Sequence, residues 1–373
     1  MLATARHPAS SQQFPASSIQ HPVSSLRRFI VLAATLLTAC GSTAPSGPSR
    51  SYRMGFSPLP PRNDPAVVFA SLEMWTPRAD AGIMHVQLPW AAMLAGSSAA
   101  AEVQKDPLGV ANYYRAKGLQ VVVVLDPTDG LDRAAEAPEL VAAQRSLSEP
   151  QIQLLYRQYA AAISSLIHPE YLGLAAETNL IRVVAPAPLY AAVKKVANDA
   201  AADLRSQGTA ARLFVSVQVE TAWGLLPHAG GYQGIAADLA DFPFMQAIGL
   251  SSYPYAAWPE PGQIPLDYYQ RIKGTTGLPV MVVEGGWTSA SVSTVVSSPE
   301  KQAAYFRRQA ALLDAADALF VFQLTFTDLD LSGFPQPQPA NLSFFAFLGL
   351  VDANLGPKPA LAVWDSMFAL PRR

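Results

Sequence analysis

Glu177 and Glu284 each close an apolar run, "YLGLAAE" and "LPVMVVE", and they lie 107 residues apart. Runs that are apolar at nearly every position fit strands covered on both faces. Each carboxylate then emerges where the chain leaves the core. In a parallel barrel of eight strands the C-terminal ends all meet on one face, and that face builds the active site. Two carboxylates there are the minimum equipment for breaking a glycosidic bond. One protonates the leaving oxygen, and the other attacks the anomeric carbon or activates water. A separation of about 5 Å corresponds to the retaining route. The plain alternative at either position is an ion pair. A glutamate between "VMVV" and Gly285-Gly286-Trp287 is costly unless it is paired or functional.

The elements that must carry these residues follow from periodicity. Strand-like runs occur at 53–60, 83–90, 119–127, 171–177, 213–220, 247–255, 278–286 and 318–326. Helical patterns lie between them. In "EPQIQLLYRQYAAAISSLI", Ile152, Leu155, Tyr159, Ala162, Ile163 and Leu166 share one face. "PEKQAAYFRRQAALLDAA" reads the same way, with Ser298 as its N-cap. Strand starts recur at the spacing of βα units. Eight such units predict an α/β fold, a single-domain (β/α)8 TIM barrel over residues 53–373. No glycine-rich phosphate loop follows the first strand, which argues against a dinucleotide fold. The proline-rich loop "TDLDLSGFPQPQPANLS" after the eighth strand reads as a lid over the same face.

Three segments, "HPEYLGLAAETN", "DFPFMQAIGLSSYPY" and "GLPVMVVEGGW", stand in the order and spacing of strands 4, 6 and 7. In this they resemble the clan-A glycoside hydrolases, nearest in look to the endo-β-1,4-galactanase type. The closing "GLVDANLGPKPALAVWDSM" is similar to the last segment of many such enzymes. The resemblance implies that Glu177 is the general acid/base, Glu284 the nucleophile, and Tyr253 a donor that orients Glu284. On that reading, burial and a nearby negative charge raise the acid's pKa, while hydrogen bonds keep the nucleophile ionised. One position departs from the pattern. The clan carries an asparagine directly before the acid/base, and here that residue is Ala176. Asn179, two residues after the glutamate, is the substitute candidate for holding the sugar.

Trp90, Trp223, Trp258 and Trp287 all fall at or just after strand ends. Sugar rings stack their C–H faces on indole, so the four read as an aromatic rim of a glycan cleft. Taken singly, each fits core packing as well. Gln218 and Gln323, with Glu220 and Thr325, alternate with apolar residues, which aims some of them into the barrel mouth. Gln218 and Gln323 are therefore further candidates for binding substrate, against a reading as interior filling.

The N-terminal segment carries a different signal. Arg27 and Arg28 precede "FIVLAATLL", a run too short to span a bilayer permanently, and then Leu37-Thr38-Ala39-Cys40. Residues 1–39 resemble a bacterial lipoprotein signal, with Cys40 the lipidated residue. Residues 40–52, "CGSTAPSGPSRSY", read as a flexible tether. The expectation is a lipid-anchored protein at a bacterial cell envelope, with the membrane as one partner and a carbohydrate as the other. Without the three arginines before Cys40 the chain has 23 basic and 28 acidic residues, and no basic stripe. Nucleic acid is not an expected partner. The five histidines show no metal-ligand spacing, and Cys40 is the single cysteine, so neither metal nor cofactor is expected. A monomer is the expected state. The functional expectation is a retaining glycoside hydrolase acting on a poly- or oligosaccharide. Its alternative is a glycan-binding lipoprotein on the same barrel, which the Ala176 departure favours.

Overall fold

The computed structural model of the chain describes residues 47–227, 230–274, 276–333 and 341–373. The chain divides into Met1–Gly47 and Pro48–Arg373, and the strands of the barrel lie in the second unit. Cys40 and residues 1–39, the segment expected to be a signal, lie outside the described residues.

The strands are β1 (Arg53–Phe56), β2 (Ala81–Gln87), β3 (Gln120–Asp126), β4 (Tyr171–Gly173), β5 (Arg212–Gln218), β6 (Ala247–Ser252), β7 (Val280–Gly285) and β8 (Phe320–Gln323). They form one closed barrel in sequence order. Every pairing is parallel, and β8 returns to β1 with Arg53 opposite Phe320 and Phe56 opposite Gln323. This is the single-domain (β/α)8 barrel that the βα spacing predicts. The folded unit begins slightly before residue 53. Arg50, read above as tether, is buried and pairs with Asp80 at 2.7 Å.

The barrel has two hydrophobic layers, as alternation along each strand requires. Ile83, Val122, Val124, Phe214, Met281, Val283, Phe320 and Phe322 fill the interior. Val121, Val123, Leu125, Val215, Val217 and Val282 face the surrounding helices. The helix Pro150–Ile167 buries Ile152, Tyr159, Ala162 and Ile163, four of the six residues assigned to its face. The helix Pro299–Ala316 starts at Ser298, whose side chain accepts from the Lys301 N–H as an N-cap should.

The strands are shorter than the apolar runs. β4 stops at Gly173, so Leu174 to Ala176 lead out of the sheet and Glu177 follows them. β8 spans only Phe320–Gln323. The continuous apolar character of these runs reflects burial beyond the ladder rather than the ladder itself. At the end of β7 the chain passes close against β6. A Cβ on Gly285 would lie 2.4 Å from the Ser252 carbonyl oxygen, so only glycine lets the residue after Glu284 pass there.

Candidate active site

Glu177 does not end its strand. It precedes the helix Thr178–Val184 in a left-handed conformation, with φ 49° and ψ 46°. That region is costly for a residue with a Cβ, and such strain concentrates at functional sites. Contacts on three sides hold it there. Its N–H donates to Ser216 Oγ at 2.9 Å, Ser251 Oγ donates to its Oε1 at 2.6 Å, and Arg133 Nε donates to its Oε2 at 2.8 Å. Arg133 also pairs with Asp126 at 2.5 Å, which makes a buried Asp126–Arg133–Glu177 array.

Glu284 sits opposite Ser251 in the β6–β7 register. Tyr253 donates its hydroxyl to Glu284 Oε1 at 2.5 Å, the contact expected from the motif. His85 Nε2 lies 3.6 Å from Glu284 Oε2. Neither ring nitrogen of His85 has a hydrogen-bond partner among the described residues, and burial lowers its pKa to about 4. The imidazole is therefore neutral, and the contact is not an ion pair. Burial raises the Glu284 carboxyl, and the Glu177 charge pushes it the same way, against the Tyr253 hydrogen bond.

Glu177, Glu284, Tyr253 and Gln218 line one cavity of about 290 Å³, together with Arg133, Asn341, Phe344 and Phe345. A second cavity of about 240 Å³ shares Glu284, Arg133 and Phe345 with it and adds His85 and Asp126. Apolar walls with a few converging polar groups are what a small-molecule site requires. Gln218 is held by its neighbours: its Nε2 donates to Glu220 and its Oε1 accepts from the Thr221 N–H.

Several expected binding residues do not reach this cavity. Asn179 is buried, and its side chain is already engaged. Its Nδ2 donates to the Gln218 carbonyl at 2.9 Å, and its Oδ1 accepts from the N–H of Gln218 at 2.7 Å and of Leu180 at 2.9 Å. It fastens the helix after Glu177 to the end of β5, so it does not stand in for an asparagine at Ala176. Ala176 itself packs into the barrel interior. Gln323 is also buried, but it donates to Gln309 Oε1 at 3.0 Å on the helix Pro299–Ala316, so it lies between barrel and helices, neither lining the cavity nor filling the interior.

The aromatic rim is corrected as well. Trp287 is in the core, stacked on Tyr305 at 5.3 Å, with its N–H donated to Ser297. Trp223 donates to the Tyr268 carbonyl and lies under Arg271. Trp258 is half-buried against the same core. Trp90 is buried beside a neighbouring cavity that it shares with Gly130 and Leu131. None of the four lines the cavity of the glutamates. A large ring at a strand end can fill the gap between barrel and helices, as Trp287 does against Tyr305. The rings at the site come instead from Tyr253 and from Phe344 and Phe345 after β8.

Arg133, His85, Phe344 and Phe345 were not singled out by the motifs. Arg133 stands in a loop of charged and small residues without periodicity, and its role appears only when the loop folds over β4. The phenylalanines directly follow the loop after β8 that reads as a lid, which ends at Ser343. Its residues 334–340 lie outside the described residues, but Asn341 Nδ2 donates to the Leu131 carbonyl and joins the β8 loop to the β3 loop over the mouth.

No protein-family model matches this sequence, and no curated protein matches it in sequence. Solved structures do match the fold. The exo-β-1,4-mannosidase Op5Man5 from Opitutaceae bacterium strain TAV5 is similar at TM-score 0.63 and 16% identity, over 86% of this chain and 59% of that one. This chain therefore spans about three-fifths of that protein's length. A GH5_18 protein from Bifidobacterium longum subsp. longum, crystallised with Manβ1-4GlcNAc, matches at TM-score 0.58 and 15% identity over 86% and 80% of the two chains. A GH5_18 protein from Streptomyces cattleya, in complex with GlcNAc, matches at TM-score 0.57 and 16% identity over 87% and 83%. These likenesses establish the barrel, and they are likenesses to glycoside hydrolases.

Proposed function

We propose that this chain is a glycoside hydrolase of the retaining type, acting on a β-linked poly- or oligosaccharide. The observation that carries the reading is the convergence of Glu177, in the segment after β4, and Glu284, in β7, on one cavity in which Tyr253 donates to Glu284. Glu177 protonates the leaving oxygen and later activates water, and Glu284 attacks the anomeric carbon to form a glycosyl-enzyme. The carboxyl separation for this route is about 5 Å. Because the neighbouring structures include a β-1,4-mannosidase and a complex with Manβ1-4GlcNAc, β-mannosides are the first substrates to test. A screen of the chain lacking residues 1–40 against a panel of β-linked glycans is the experiment. Hydrolysis that survives in both Glu177→Gln and Glu284→Gln would sink the proposal.

A second reading is a glycan-binding protein on the same barrel. The Arg133–Glu177 contact at 2.8 Å favours it, since a guanidinium already engages an oxygen of the candidate acid, and so does Ala176. Glycan affinity without hydrolysis in the same screen would select it. In either case Cys40 is proposed to carry the lipid that holds the protein at the envelope. Replacement by serine should release it from the membrane fraction, or block its maturation, and an unchanged fractionation refutes the anchor.

A further inference from the structure

Arg133 reaches the site from the loop after β3, and its side chain is only 7% exposed. Three of its donor contacts tie it to the β3 end: Nη1 to Asp126 Oδ2 at 2.5 Å, to Thr128 Oγ1 at 3.3 Å and to the Asp129 carbonyl at 3.2 Å. The fourth runs from Nε to Glu177. Nη2 makes no hydrogen bond among the described residues, although Arg133 lines both cavities. A buried guanidinium is costly unless carboxylates compensate it, and two do so here.

The two glutamates therefore stand in unequal surroundings. The charged or titratable groups facing them are His85 from β2, Asp126 at the end of β3, Asp132 and Arg133 from the loop that follows, and Tyr253 after β6. Gln218 at the end of β5 and Asn341, Phe344 and Phe345 after β8 are uncharged. The single cation among these groups is on Glu177. Glu284 has a phenol and a neutral imidazole, and it faces the negative charge of Glu177; Arg133 acts on it only through space and weakly, without a hydrogen bond.

We propose that Arg133 is a positioning residue that decides where the glutamate pair keeps its proton: it holds Glu177 as the carboxylate in the empty site and leaves the proton to Glu284. The inference rests on reading the two glutamates as the working pair. It has a mechanistic consequence, because a general acid at Glu177 needs the opposite arrangement. The proton must then pass from Glu284 to Glu177 before the bond breaks, with the total charge of the pair unchanged. A sugar oxygen that accepts from the free Nη2–H can draw the guanidinium off Glu177 and permit that transfer. Arg133 would thus tie the protonation of the acid to occupation of the site.

The test reads protonation directly and needs no substrate. Carboxyl ¹³C shifts of Glu177 and Glu284, assigned through Glu177→Gln and Glu284→Gln, are followed from pH 4 to pH 9. In the parent protein Glu284 takes up its proton first as the pH falls. In Arg133→Gln the order reverses, with the Glu177 midpoint rising by at least one pH unit, and in Arg133→Lys the parental order is kept. The double variant Asp126→Asn/Arg133→Gln leaves no unpaired Asp126, and serves where the single variant does not fold. A Glu177 midpoint that stays put in a folded Arg133→Gln or double variant overturns the inference. On any glycoside the chain cleaves, Arg133→Gln should displace the pH limbs of kcat/KM; a uniform loss at every pH means a merely structural role and also overturns it. Absence of hydrolysis by the parent protein would remove the glycosidase reading, while the titration still decides the role of Arg133.

Discussion

Tyr253, the residue after β6, donates its hydroxyl to Glu284 Oε1 at 2.5 Å, and its ring packs edge-on against Phe345 at 5.0 Å. One side chain thus ties the nucleophile candidate to the aromatic wall of the cavity. Removing the hydroxyl by Tyr253→Phe keeps the ring and takes away the donor. A hydrogen bond to a charged group contributes about 1.5–3 kcal/mol, so kcat/KM should fall roughly 10- to 150-fold. The loss favours the protonated Glu284, so the acid limb of the pH profile should move upward. A profile unchanged in height and position would separate Tyr253 from the chemistry.

Glu284→Gln should preserve the fold and abolish nearly all hydrolysis, since it keeps volume and removes the nucleophilic charge. It should also alter stability in a pH-dependent way. Burial, joined by the Glu177 charge, raises the Glu284 pKa from 4.5 to about 7. A carboxyl raised in this way contributes stability below its unfolded pKa and loses it as pH rises through the folded one. Between about pH 4.5 and 7 the parent protein should lose stability that the glutamine variant keeps. Thermal melts of both proteins at pH 5 and pH 8 check this, and a Tm difference independent of pH contradicts it.

Asn179→Ala should act on stability before it acts on sugar. It removes three hydrogen bonds and leaves the buried N–H and C=O of Gln218 without these partners. The cost of such unsatisfied groups is about 1–3 kcal/mol each. Denaturant unfolding should show it as a lower midpoint. A drop in glycan affinity with an unchanged midpoint would restore Asn179 as a binding residue.

The two kinds of aromatic residue should respond differently to truncation. Trp287→Ala opens a cavity in the core beside Tyr305 and should destabilise by about 3–5 kcal/mol. Phe345→Ala removes a half-buried wall of the cavity. It should lower sugar affinity by roughly 0.5–1.5 kcal/mol with a much smaller loss of fold. Isothermal titration and unfolding measurements on both variants would reveal a reversed pattern if the walls are misassigned.

Periodicity and burial pattern were enough to read eight strands, their parallel order and the two glutamates at the mouth, because a barrel repeats one local rule eight times. Every βα unit needs an apolar run, a connection and an amphipathic helix, and each is visible within about 40 residues. Tyr253 was legible for a similar reason: it stands next to a strand end whose direction is known. What lines the cavity was not legible. Arg133, Phe344 and Phe345 lie in loops, where no period links sequence position to direction, and their contacts span 44 positions for Arg133 to Glu177. The tryptophans at strand ends were misread because a large ring there can turn toward the mouth or toward the helices, and only packing chooses. The electrostatic inequality of the two glutamates was likewise a tertiary property. It depends on which charges a folded loop brings within a few ångströms, and a guanidinium 44 residues away in sequence sits on one carboxylate and not on the other.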